Sequence, residues 1–434
     1  MKRNRWGIAT AAVGIHICVG SVYAWSVFIK PIIAETGVTL QAVQWTFSLA
    51  IFFLGMAAAF FGSFVENSGP TKSGVISAAF FATGLLGTGL AIHLNSLWMM
   101  YVFYGVIGGI GLGIGYITPV ATLIKWFPNN RGFATGLAIM GFGFAALIAG
   151  PAIQYLNTTV GLVNTFLTMG ISYCVVMVLS ALYLNAPVDG DLQVQTALRK
   201  ELINNRNKET TDAASTGETT VVATDKKALK KAERATKFAN QKQFTAPEAM
   251  KTKPFYGLWW MLFINITCGI GLLSVASPMA QEVVGMSPER AAAMVGVIGL
   301  VNGAGRLVWA SISDYIGRAY TYIAFFLLEI GACMMLAQTT DELLFQFLFL
   351  VIISCYGGGF SSLPAYLADL FGTKSLSNIH GKVLTAWAMA GIAGPLVISV
   401  LKEQSNGYSS TLYVYAGLLG TALVVSLLLK MRKQ

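Results

Sequence analysis

Long apolar runs alternate with short polar breaks along nearly all of this chain, and the runs are too long to be core helices of a soluble domain. A helix that crosses the hydrocarbon of a bilayer needs roughly 20 mostly apolar residues. Twelve runs meet that length, at about 6–29, 41–65, 71–93, 96–123, 132–156, 160–186, 255–280, 290–312, 319–338, 342–370, 377–401 and 408–430. Six precede a polar central segment and six follow it. The pattern predicts an all-α integral membrane protein of 12 transmembrane helices in two six-helix bundles. The bundles are expected at 1–187 and 254–434, joined by a linker at 188–253. The first run follows Lys2, Arg3 and Arg5 as a signal peptide would. It continues to Ile29 without a small-residue cleavage site, so it reads as a retained helix.

Composition sharpens the division. Of 434 residues, 55% are hydrophobic and 11% charged, less than half the charged share of a soluble domain. Of the 48 Lys, Arg, Asp and Glu residues, 22 lie between Pro187 and Lys253. The formal charge of +10 therefore needs a membrane explanation before a nucleic-acid one, and no nucleic-acid partner is expected. With the N-terminus inside, 24 Lys and Arg residues fall on the inner side and only Lys30, Arg290 and Lys402 on the outer. The positive-inside rule then puts both termini in the cytoplasm of a plasma or inner membrane. In the linker, Asp225 to Gln243 offers a basic surface helix for anionic lipid; a solvated connector is the plainer alternative. The five cysteines lie in apolar runs with no CxxC spacing, so neither a disulfide framework nor a zinc site is expected.

The two halves repeat each other. Gly37 and Gly285, Gly55 and Gly303, Glu66 and Asp314, and Gly69 and Gly317 all share an offset of 248. Pro119 and Pro364, Phe127 and Phe371, and the AxxxGP runs ending at Pro151 and Pro395 repeat at offsets of 245 or 244. Repeats that enter from the same side and rock about a midplane site are the physical basis of alternating access. Gly105, Gly109 and Gly113, four apart in an apolar run, read as a packing face; no strand precedes them to make a dinucleotide loop.

In these motifs the chain resembles the major facilitator superfamily and, within it, the oxalate/formate antiporter family, close to monocarboxylate transporters. Ser313 to Arg318 resembles the superfamily's DxxGR loop, and Glu66 to Lys72 is its degenerate first-half copy. The narrower resemblance rests on the segments Gly20 to Phe28, Lys125 to Gly132, Lys251 to Trp260, Asn302 to Arg306, Leu363 to Gly372 and His380 to Pro395. Glu66, Asp314, Gly317 and Arg318 then read as gating loops. Each carboxylate is expected just beyond a helix end, latching one state beside a cation.

An ionisable residue within a span is a functional candidate because burying it costs several kcal/mol. Arg306 is the strongest, in the middle of run eight with Asn302 one turn earlier on the same face. Its guanidinium never deprotonates and holds a carboxylate through two parallel hydrogen bonds. The resemblance also places a substrate-binding arginine here. It further implies a second cation in run eleven, but that position aligns with Trp387. Lys382, five residues earlier, is turned about 140° away, with its ammonium expected to snorkel to the surface. One fixed charge argues for a monocarboxylate of lactate, pyruvate or formate size; two would suit oxalate.

The resemblance carries over Tyr23, Tyr116, Tyr356 and Phe360 as cavity aromatics. For proton coupling or as a second cation, His380, Lys382, His16 and Glu329 are the candidates. The expectation is a monomeric secondary carrier, not an enzyme, with no cofactor and no metal, working on a small carboxylate with or without H⁺. An oxalate:formate-type exchanger and a transporter-like sensor are the rivals. An enzyme would need clustered ligands or a nucleophile–base pair, whereas His16, His93 and His380 lie on three separate runs.

Overall fold

The computed structural model describes residues 4–127, 131–186, 243–372 and 375–431. Among them there is no strand, and twelve helices are long and apolar enough to cross a membrane. Helix is the form this sequence must take in lipid, because only a helix pairs every backbone group within one segment.

In the first half, α1 (5–36) is broken into Arg5–Gly20, a 3₁₀ turn at Ser21–Ala24 and Ser26–Thr36. Then come α2 (Leu40–Phe60), α3 (Gly62–His93), α4 (97–126, with a π-helical stretch at Tyr101–Gly108), α5 (Arg131–Val160) and α6 (Leu162–Tyr183). In the second half, α7 (253–283) breaks at Val275, and α8 is Pro288–Ile316. α9 (Arg318–Leu336) and α10 (Glu342–Phe371) follow, then α11 (376–405), which breaks at Leu384, and α12 (Ser409–Met431). The expected linker ends in structure: Ala246–Ala249 forms a helical turn under a Thr245–Glu248 capping box. Just before it, the Phe244 N–H donates to the Phe371 carbonyl at 2.9 Å, docking the linker's end on α10.

Side-chain caps start several spans. Thr39 accepts from the Ala42 N–H, Ser287 from Arg290 and Asp341 from Leu344, satisfying donors that the first helical turn leaves bare. The repeat is visible in the backbone. Gly37 and Gly285 take φ 70 and 67, and Gly69 and Gly317 take φ 77 and 92. These are left-handed values that a side chain disfavours, so both members of each pair end a helix or kink it the same way.

Small residues set the contacts between the bundles. α5 crosses α8 where Gly143 lies against Gly299 and Gly303, and a Cβ on Gly150 would stand 2.7 Å from the Ala292 carbonyl oxygen. α2 crosses α11 where Gly55 meets Ala388 and Gly391 meets Ile51. These two crossings are related by the repeat, since α8 corresponds to α2 and α11 to α5. The Gly105, Gly109 and Gly113 face of α4 packs on α2, against Leu49, Ala50 and Ala57. Close backbone approach through small residues is how helices associate in lipid.

The end of the molecule opposite the two termini is also tied by polar contacts across the halves. Lys30 of α1 lies 4.0 Å from Glu282 at the end of α7, and Glu282 holds Lys402 of α11 at 2.9 Å. The Gln41 N–H, in the first turn of α2, donates to Glu403 at 2.8 Å, and the Gln44 amide donates to the Ser274 carbonyl at 3.2 Å. The exposed ion pairs are worth about 0–1 kcal/mol each and the buried Gln44–Ser274 bond about 0.5–1.5 kcal/mol, so together they bias the halves toward contact without locking them.

Candidate functional site

Six aromatic side chains close a ring between the halves. Tyr23 meets Phe142 edge-on at 4.9 Å, and Phe142 meets Tyr116 at 5.5 Å. Tyr116 meets Trp387 at 5.5 Å, Trp387 meets Phe360 at 5.1 Å and Phe360 meets Tyr356 at 5.5 Å. The Tyr356 and Tyr23 hydroxyls, 3.1 Å apart, complete the circuit. Three members come from α1, α4 and α5, and three from α10 and α11. The edge-to-face geometry suits the ring quadrupoles.

Local structure puts each ring in place. Tyr23 sits in the 3₁₀ turn that interrupts α1. Gly20 lets that turn press against α5, because a Cβ there would stand 2.7 Å from the Ala145 methyl and strike the Phe142 backbone. Gly269 of α7 leaves room for the Tyr356 ring in the same way. Trp387 follows the break at Leu384, where its N–H reverts to an i−3 bond at 2.9 Å.

Arg306 enters the ring from α8. It is 7% exposed, its guanidinium lies 5.4 Å from the centre of the Phe360 ring, and its Nε is buried without a partner. Among the described residues the ion pairs are those of Glu282, Glu342 and Asp314, so no acid is paired with Arg306. Asn302, one turn earlier, is fully buried with neither amide atom partnered. Gly357 is what admits it, since a Cβ there would stand 2.7 Å from Asn302 Oδ1. A desolvated cation against the Phe360 ring and an unsatisfied amide one turn away on α8 both keep hydrogen-bonding capacity that buried groups ordinarily spend.

The structure therefore gathers Tyr23, Tyr116, Tyr356, Phe360 and Trp387 into one ring with Arg306 against it, and sets Asn302 one turn away on α8 beside Gly357. It adds Phe142, which touches Tyr23, Tyr116 and His16 and which sequence reasoning misses. The signal that points to it is the flanking pair Gly141 and Gly143, an aromatic between two residues without side chains.

The remaining candidates lie elsewhere. His16 sits behind the ring, stacked on Tyr116 at 5.7 Å, with Nε2 3.0 Å from the Tyr116 carbonyl oxygen. Lys382 is exposed and aims its ammonium at the Phe60 ring, 5.1 Å away, rather than at Arg306. His380 belongs to the Leu376–Val383 piece of α11, on the far side of the Leu384 break from Trp387, so the two do not share one continuous helix face. Glu329 is buried inside the second bundle, where the Asn265 amide donates to Oε1 at 3.0 Å and Oε2 has no partner.

The expectation that Asp314 stands beyond a helix end is corrected. Gly317 ends α8 three residues later, so Asp314 is in its last turn and ion-pairs locally with Arg318, four residues on. Arg318 also donates to the Ser313 hydroxyl. Glu66 likewise falls inside α3, before the kink at Gly69 rather than beyond a helix end, and its side chain lies outside the described residues. Within the described residues no group of His, Cys, Asp and Glu could hold a metal ion.

Comparison with known proteins gives this arrangement a setting. Residues 11–395 match the family model described as the Major Facilitator Superfamily. The oxalate:formate antiporter of Oxalobacter formigenes is 26% identical over 397 residues, covering 90% of this chain and 83% of that protein. Monocarboxylate transporter 12 of Rattus norvegicus is 24% identical over 420 residues, covering 93% and 81%. Among solved structures, a bacterial homologue of the human lysosomal transporter Spinster, inward-facing and occupied, superposes with a TM-score of 0.70. That match has 14% identity and covers 99% of this chain and 97% of the other, which shows the fold.

Proposed function

Because the chain belongs to the major facilitator superfamily, we propose that it is a secondary carrier of small monocarboxylates of lactate, pyruvate or formate size. The supporting observation is Arg306: one buried guanidinium without an acid partner, inside an aromatic ring to which both halves contribute. The anion docks on the guanidinium through two parallel hydrogen bonds. Asn302 and the Tyr23–Tyr356 hydroxyl pair supply further donors, and the rings exclude water. Opening one end of the ring and then the other moves the anion across, with both termini in the cytoplasm and the carrier in the plasma membrane. The names of the antiporter and the monocarboxylate transporter among its relatives agree with this substrate class.

Exchange is the mode the geometry favours. Among the described residues no carboxylate shares the ring with Arg306, so the empty site keeps a full positive charge. Carrying a bare charge through the low-dielectric centre is costly, and a bound anion removes that cost in both directions. Proton-coupled transport is the second reading, with His16 and Glu329 as the titratable groups within reach of the ring's supporting helices.

The deciding experiment is uptake of labelled lactate, pyruvate, formate and oxalate into proteoliposomes. The expected result is saturable monocarboxylate uptake that needs carboxylate inside. Uptake into empty vesicles driven by a pH gradient alone would replace exchange with proton symport. No uptake of any carboxylate would end the carrier reading.

The aromatic ring adds a finer expectation. Removing the Tyr356 hydroxyl (Tyr356→Phe) breaks its bond to Tyr23, worth about 1 kcal/mol, so KM for the monocarboxylate should rise about 3- to 10-fold. Tyr23→Phe on top should raise KM again, because it removes the last hydroxyl donor of the pair. A double-mutant cycle on KM checks this.

A further inference from the structure

The end opposite the termini carries a second concavity, which begins at Val27, one turn of α1 beyond Tyr23. It is a cleft of about 640 Å³ between the halves, with α1, α5 and α6 on one side and α7 and α8 on the other. That volume falls within the range of small-molecule sites. Its polar lining is Lys30, Glu35, Gln154, Asn157, Thr158 and Gln281.

Two of these side chains have unspent capacity. Asn157 has both its amide nitrogen and its oxygen buried without a partner, and buried polar atoms are ordinarily paired. Lys30 is 41% exposed and stands 4.0 Å from Glu282, the outer limit of an ion pair. Glu282 meanwhile spends its other oxygen on Lys402 at 2.9 Å. The two lysines therefore share one carboxylate, one on each oxygen, and Lys30 has the longer contact.

We propose that this cleft is a second, weaker carboxylate site built on Lys30, where an arriving anion takes Lys30 from Glu282. The anion's oxygens accept from the Lys30 ammonium, and the Asn157 amide, enclosed in this form, turns into the cleft to donate as the anion arrives. Glu35 on the cleft wall repels a second negative charge, so the site selects monoanions. Because Lys30–Glu282 is one of the ties between the halves at this end, its exchange for a free anion loosens that contact. A carboxylate arriving from this side then favours opening toward it. The inference rests on the carboxylate reading of the central site and extends it.

The test is binding of pyruvate, with oxalate as the dianion, to the full-length protein in nanodiscs, read by calorimetry and by saturation-transfer NMR. Arg306→Ala silences the central site and is expected to leave one weak pyruvate site with millimolar Kd. Adding Lys30→Gln should weaken that residual binding at least 10-fold, and adding Asn157→Leu instead should weaken it about 3- to 10-fold. Oxalate should bind the residual site more weakly than pyruvate. Melting curves of each variant confirm that it is folded. If wild type binds pyruvate and Arg306→Ala retains no saturable site, or retains one that Lys30→Gln leaves unchanged, the far-face site is wrong and the central reading stands. If wild type binds no carboxylate, both fall.

Discussion

Arg306→Ala is expected to reduce kcat/KM for monocarboxylate uptake at least 100-fold, with the protein still folded. Truncating one member of a buried, hydrogen-bonded charge pair costs about 2–5 kcal/mol, and here the other member is the substrate itself. Most of Arg306 is already enclosed by Phe360 and its neighbours, so water cannot replace it for the anion. Arg306→Lys keeps the charge but gives up the planar fork, and should fall between the two. Its residual transport should discriminate poorly between formate and lactate, because a point charge fixes no orientation. Initial rates in proteoliposomes, with melting temperature as the folding control, check both variants. Uptake by Arg306→Ala within twofold of wild type would remove the anion site from α8.

The second large effect concerns how many charges the ring accepts. Trp387 contacts both Phe360, the ring beneath Arg306, and Tyr116 from the other half. Replacing it with lysine puts a second cation opposite the first. Lactate transport should fall because the ring loses its largest wall, while the oxalate-to-lactate ratio of kcat/KM should rise about 10-fold or more. The new ammonium is costly alone in a dry site and is stabilised only when a dianion bridges it to Arg306. Trp387→Met is the control: it opens the wall without adding charge and should slow both substrates alike. Equal ratios for the lysine and methionine variants would mean that charge count does not set selectivity here.

Much of this architecture is legible in the amino-acid sequence, for identifiable reasons. Lipid forces each crossing to be a long apolar helix, so the twelve spans stand out in the pattern, and the match to superfamily structures bears out that fold. The 248-residue offset survives because Gly37, Gly69, Gly285 and Gly317 occupy left-handed backbone that other residues strain to adopt. Arg306 stands out because arginine is rare in such helices.

The rest depends on tertiary contact. Phe142 looks like any apolar residue of a span until α1 and α5 meet at Gly20. The breaks at Ser21–Ala24 and Leu384 carry no proline and leave the apolar pattern intact, whereas that at Val275 is written in Pro278, whose ring displaces the Ser274 carbonyl four residues back. Lys30 and Glu282 lie 252 positions apart and become partners only when the halves close. Asp314 falls inside α8 rather than beyond it because the helix end is set by the Gly317 backbone, not by the charge.

The equal division of the aromatic ring has a consequence for how such a pocket can exist at all. With Tyr23, Tyr116 and Phe142 on one half and Tyr356, Phe360 and Trp387 on the other, each polypeptide half carries an open arc rather than a binding site. The arginine belongs to the second half, yet the hydroxyl that pairs with Tyr356 and the ring that closes on Trp387 both belong to the first. Expressed separately, neither arc would enclose a solute. The pocket would come into being only when the two fragments associate, as a property of their joining.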